Sequence, residues 1–130
     1  CDARNLARLA SRLARANAAL ELLTDGAERY LALRRGEARI PGFDARAFGA
    51  LTGEIRVRLL LRAIDRVGYE GPSELGKVEA LLEALDRAAA DSRDSGRRIL
   101  LKKTLAGALV TLTPDWISIE PAPSRRRRPG

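Results

Sequence analysis

The stretch Ile55–Leu85, IRVRLLLRAIDRVGYEGPSELGKVEALLEAL, constrains the fold of this chain more than any other. Its spacing predicts two amphipathic helices joined by a short Gly/Pro turn. Leu59, Leu60, Ala63, Ile64 and Val67 cover an arc wide enough to be packed on more than one side. Arg58, Arg62 and Arg66 recur every four residues and so line one face of the first helix. Gly68 stands where a helix C′ glycine is expected. Pro72 restarts the chain, with Ser73 as the expected N-cap. Leu75, Val78, Leu81, Leu82 and Leu85 keep the helical period in the second helix. Nothing in this helical hairpin could run a reaction.

Residues 4–33 carry a second helical pattern. Leu6, Leu9, Leu13, Ala16, Leu20, Leu23, Ala27 and Tyr30 alternate in steps of three and four, an a/d seam over more than three heptads. Asp2 is the expected N-cap, and Thr24-Asp25-Gly26 is where the helix could kink, since glycine costs roughly 1 kcal/mol in a helix interior. Unbroken, the helix is about 45 Å long at ~1.5 Å per residue and must pack along the hairpin or against a partner. Arg4, Arg8, Arg12 and Arg15 form a stripe beside the seam, most simply a solvated face. Arg34-Arg35-Gly36 ends the element, Glu37–Gly42 reads as an extended link, and Asp44 reads as the N-cap of a short helix over Ala45–Leu51.

After Ala90 the pattern changes. Asp91–Gly96 is a polar loop, and Arg97–Pro121 reads as β structure. Gly107–Leu112 and Trp116–Glu120 flank the turn signal Thr113-Pro114-Asp115, predicting a β-hairpin with room for a third strand from Arg98–Lys102. Ile117 and Ile119 fall on one face, Trp116 and Ser118 on the other. A lone hairpin is marginal in water, so its apolar face should dock on the helices. The expected fold is α+β, mainly α: a helical bundle over residues 1–90, a C-terminal hairpin over 97–121, and a disordered basic tail over 122–130.

With 130 residues, 45% hydrophobic and 32% charged, the chain has the composition of one soluble domain or two small subdomains. No apolar run approaches the ~20 residues a membrane span needs, and no signal peptide is visible. The start at Cys1, the absence of methionine and the immediate helical pattern suggest a fragment of a longer protein. One cysteine and no histidine fit a reducing cytoplasm, exclude a Ser/His/Asp or Cys/His set and argue against zinc. The formal net charge is +7, four units of it in Arg125–Arg128. There are 21 arginines to three lysines. A GC-rich genome inflates arginine and alanine together, so charge alone does not establish a nucleic-acid partner.

Three pieces, in order, resemble the region that follows the catalytic domain in the tRNA(Ile)-lysidine synthase family, particularly its alphaproteobacterial members. They are ARLASRLARANAALE (Ala7–Glu21), RLLLRAIDRVGYEGPSELGKVEALLEAL (Arg58–Leu85), and RRILLKKTLAGALVTL (Arg97–Leu112) with ISIEPAP (Ile117–Pro123). The family belongs to the PP-loop ATP pyrophosphatases. The resemblance implies a parent enzyme that adenylates the wobble cytidine of an isoleucine tRNA and joins lysine to it. ATP and magnesium are then expected in a catalytic domain outside this chain. The family's Ser-Gly-Gly-x-Asp-Ser loop is missing here, so this segment is expected to bind no ATP and to be inactive alone. The resemblance also implies that a helical module of this kind holds and orients tRNA in the cytoplasm, with the catalytic domain as its other partner.

With four per cent aromatic residues, RNA contact is expected through phosphates rather than base stacking. Trp116 reads as a hairpin or core aromatic. Glu70, Glu74, Glu79 and Glu83 read as solvated charges. The candidate phosphate contacts form two sets: Arg58, Arg62, Arg66 and Lys77, then Arg97, Arg98, Lys102 and Lys103. The plain alternative for the first set is salt bridging within the bundle, Arg62 with Asp65 or Arg66 with Glu70. The rival function is a non-enzymatic interaction module that homodimerises through the Leu6–Tyr30 seam. A DNA-binding regulator fits less well, because the Gly68–Ser73 turn is long for a helix-turn-helix and the helix after it is not arginine-rich.

Overall fold

The computed structural model describes residues 2–37, 39–92 and 96–124. Cys1, part of the polar loop and the Arg125–Arg128 run lie outside them. The elements are α1 (Ala3–Leu33), β1 (Gly42–Asp44), α2 (Ala45–Gly49), α3 (Gly53–Val67), α4 (Leu75–Asp91), β2 (Leu101–Leu105), β3 (Ala108–Leu112) and β4 (Trp116–Pro121). The fold is α+β and mainly α, as the periodicity predicts.

Helix α1 runs through Gly26 without a break, and the Asp2 carboxylate caps it by accepting from the Asn5 N–H at 2.9 Å. Its buried face is not the expected seam. Leu20, Thr24, Ala27 and Leu31 turn inward, whereas Leu6, Leu9, Leu13, Leu23 and Tyr30 are exposed. The buried line is rotated toward Thr24, whose hydroxyl donates to the Leu20 carbonyl at 2.7 Å and is satisfied inside the helix. The first turns of α1, which carry Leu6, Leu9 and Leu13, are exposed. Their apolar stripe continues the buried face of the later turns but meets nothing among the described residues.

The expected β-hairpin is the centre of a larger sheet. All pairings are antiparallel, in the order β1-β4-β3-β2. The third strand is β2, and it starts later than Arg98–Lys102 suggests. The fourth, β1, starts at Gly42, the last residue of the stretch read as an extended link, and runs on to Asp44. Gly42 lies so close to β4 that an added Cβ would sit 1.9 Å from the Ile117 carbonyl oxygen, at a φ of +144° that side chains avoid. Asp44 ends β1 and caps α2, accepting from the Ala47 N–H at 2.8 Å.

Helices and sheet share one core. Leu59, Leu60 and Ile64 of α3, Val78 of α4, and Val110 and Ile119 of the sheet are almost fully excluded from solvent. Phe43 and Phe48 stack at 5.3 Å beneath them. Two details of the hairpin differ from expectation. Gly68 is extended, with φ −72°, rather than left-handed. It is glycine because the β2–β3 turn presses on it: an added Cβ would lie 2.3 Å from the Ala106 carbonyl oxygen. The same oxygen accepts from the Glu70 N–H at 3.2 Å, which ties the turn to the segment after Gly68. Ser73 does not cap α4, where Glu74 holds that position. Its N–H and hydroxyl bond Asp65 instead, at 2.9 and 2.8 Å, and tie the connection back to α3.

Candidate nucleic-acid interface

The arginine row of α3 faces α1. Glu21, Asp25 and Glu28 lie on one face of α1 at spacings of four and three, and the two helices run side by side in the same direction. Arg58 binds Glu21, Glu54 at 2.8 Å and the Asn17 amide oxygen at 3.0 Å. Arg62 sits at the centre, on Glu21 at 2.7 Å, Asp25 at 2.9 Å and Glu28 at 3.1 Å. Arg66 closes the row on Glu28 at 3.0 Å. Arg62 thus pairs with neither Asp65 nor any other residue of its own helix. Salt bridging of this row within the bundle is present and, apart from Arg58–Glu54 along α3, it joins α3 to α1.

The electrostatics follow the geometry. Hydrogen bonds from Arg62, and next from Arg58, hold the Glu21 carboxyl below its ordinary pKa. The Glu21 hydrogen bond raises Arg62 against the cost of its partial burial. For Arg58 burial is the largest influence and opposes the charge, yet Glu54 and Glu21 together still raise its pKa. A depressed carboxyl stabilises the fold above its unfolded pKa and loses that contribution as pH falls through the folded value. The melting temperature should therefore hold steady near neutrality and decline below about pH 4.5, near the ordinary carboxyl value. Glu21→Gln should make that decline shallower in a pH series of thermal melts. The difference should stay under about 1 kcal/mol, because Glu21 is half exposed.

The remaining candidates lie elsewhere. Lys77, in the first turn of α4, lines a hollow with Thr104 and the Ala106-Gly107 turn. Arg97 and Arg98 precede β2, and Lys102 and Lys103 are neighbours within it, all exposed. Strand β2 is one of the two edge strands of the sheet, and Lys102 and Lys103 point to its opposite faces. Lys103 and Arg97 share a hollow with Arg87 and Asp91 at the end of α4. Arg87 was not singled out in sequence, because a lone arginine in a helix carries no signal. Lys77, Arg98, Lys102 and Lys103 make no ion pair among the described residues. Arg58, Arg62 and Arg66 are therefore held together against α1, while the lysine-bearing set spreads along β2 and its flanks.

No group of three or more His, Cys, Asp or Glu among the described residues could hold a metal ion. No helix among them is long and apolar enough to cross a membrane. Trp116 is half-buried on β4, with its indole N–H enclosed and unpaired among the described residues.

Over 98% of its length the chain is 62% identical to the tRNA(Ile)-lysidine synthase of Bradyrhizobium sp. (strain BTAi1 / ATCC BAA-1182). This chain is a segment belonging to the tRNA(Ile)-lysidine synthase family. The protein of that name from Rhodopseudomonas palustris is 59% identical over 98% of the chain, and that from Methylobacterium nodulans 39% over 95%. The segment spans only 38%, 37% and 36% of these three synthases, respectively. No family model and no solved structure matches the chain. The resemblance read from the Arg97–Pro123 piece thus falls on β2, β3 and β4, and that read from Arg58–Leu85 on α3 and α4.

Proposed function

We propose that this segment holds and positions tRNA for a tRNA(Ile)-lysidine synthase in the cytoplasm. In this reading the rest of the polypeptide carries the chemistry, using ATP and magnesium to adenylate the wobble cytidine and join lysine to it. The segment itself takes no part in that chemistry. The observation that carries the reading is the set of Lys77, Arg98, Lys102 and Lys103, exposed cations with no ion-pair partner among the described residues. The set occurs in a family whose members are named for a tRNA product. A cation already paired with a carboxylate gives little when a phosphate replaces that partner; an unpaired one releases counterions and binds. Lys102 and Lys103, with Arg98 and Lys77, are the proposed phosphate contacts. Arg58, Arg62 and Arg66 instead fix the angle between α1 and the rest of the fold.

Titrating the 130-residue protein into labelled tRNA(Ile) by fluorescence anisotropy tests this. Binding should weaken steeply between about 50 and 200 mM salt, with several phosphates contacted. Affinity no greater than that of a peptide carrying Arg125–Arg128 would contradict it.

The exposed stripe of Leu6, Leu9 and Leu13 favours a second reading, a protein-interaction module. That reading predicts a concentration-dependent dimer in sedimentation, lost in Leu9→Glu with Leu13→Glu. In the tRNA reading the same stripe seats the catalytic part of the synthase.

A further inference from the structure

The first turns of α1 carry Arg4, Arg8, Arg12 and Arg15 on one face. At ~100° per residue they fall within an arc of about 80°, and they span about 16 Å of helix. All are exposed, and none is ion-paired among the described residues. Arg15 donates one hydrogen bond, to the Ser11 hydroxyl at 2.9 Å. No acid on α1 answers them. Between Asp2 and Glu21 there is no carboxylate, and Asp2 is occupied as the cap of the helix. Glu21, Asp25 and Glu28 lie about 130° around the helix, where they hold Arg58, Arg62 and Arg66. The stripe of Leu6, Leu9 and Leu13 lies about 140° away in the other direction, so whatever covers it leaves the arginines open.

A solvated helix face gains stability when opposite charges stand three or four residues apart. This face does the reverse. Arg4, Arg8 and Arg12 are spaced by four and repel one another, at the end of the helix where the macrodipole disfavours cations. No acid stands in the first turn to offset them. A composition rich in arginine would scatter these residues around the helix, but the positions between them are Ala, Ser, Asn and Leu. A row that destabilises the bare helix is favoured when a polyanion lies along it. Each guanidinium then meets a phosphate rather than its neighbour's charge, and counterions are released. We propose that the face of α1 formed by Arg4, Arg8, Arg12 and Arg15 binds the sugar-phosphate backbone of the tRNA. The inference rests on the tRNA reading above and adds to it a second contact surface, on a different element from the lysines of β2.

The test uses the full-length synthase and measures its affinity for tRNA(Ile) across a salt series. Arg8→Gln with Arg12→Gln removes two charges and keeps helix-forming side chains. It should weaken tRNA binding about tenfold and make the salt slope shallower by about two units. Arg8→Lys with Arg12→Lys keeps the charges and should keep the slope. The melting temperature should fall in neither, because the glutamines relieve a repulsion and the lysines leave it as it was. Unchanged tRNA affinity in Arg8→Gln with Arg12→Gln overturns the arginine face. If Lys102→Glu with Lys103→Glu still weakens binding, the tRNA reading stands without that face; if it does not, the tRNA reading fails as well. A fall in melting temperature that accompanies the lost affinity also overturns the proposal, because the row then holds the fold. Vesicles of anionic phospholipid supply the last comparison. If the glutamine variant loses vesicle binding but keeps its tRNA affinity, the face belongs to a membrane surface and the proposal falls.

Discussion

Arg62→Glu lowers the stability of this chain by about 2–3 kcal/mol, read as a fall in melting temperature and denaturation midpoint. The substitution places a fourth carboxylate among Glu21, Asp25 and Glu28, all within 3.1 Å of the guanidinium it removes. Arg62 is only 21% exposed, so water offers limited relief. The effect stays below that of a fully buried pair because Glu21 and Asp25 are each 46% exposed. Arg62→Met keeps most of the apolar stem and should cost less, about 1–2 kcal/mol, by leaving three carboxylates without their common partner. Neither change should alter the salt slope of tRNA binding if the row is a clamp between α1 and α3. A slope shallower by about one unit in Arg62→Met would return Arg62 to the phosphate contacts.

Lys102→Glu with Lys103→Glu should act the other way round. Both side chains are exposed on an edge strand and make no ion pair among the described residues, so stability should change by no more than about 0.5 kcal/mol. Edge strands are also where charge keeps chains from pairing, and glutamate preserves that protection, so no aggregation is expected. The affinity of the full-length synthase for tRNA should nevertheless drop tenfold or more. The salt slope should become shallower by about two units, one for each phosphate left without its lysine. The two experiments together separate a cation that holds the fold from a cation that holds RNA.

The sequence made the helices legible because their apolar residues recur at the helical period and their boundaries carry caps, as at Asp2 and Asp44. It also displayed both halves of the ladder: acids at 21, 25 and 28, arginines at 58, 62 and 66. Matching them needed the knowledge that these two faces meet, which no local pattern supplies. The seam of α1 misled for a related reason. A run of leucines marks an apolar side, but the line that is buried is chosen by the neighbour. Here α3 selects a line through Thr24, and the leucines of the first turns meet nothing among the described residues. Strand β1 was invisible because it is three residues long and begins with the glycine that its close approach to Ile117 demands. Gly68 shows the same logic: its place was apparent, but its reason lies nearly forty residues away at Ala106.

The measurement that tests the central claim most directly is steady-state lysidine formation by the full-length synthase and by the same enzyme lacking this segment. The KM values for tRNA and for ATP should be determined side by side. If the segment positions tRNA, its removal should raise the KM for tRNA at least about tenfold, while the KM for ATP stays the same. An unchanged KM for tRNA, in an enzyme that still binds ATP normally, would contradict the account.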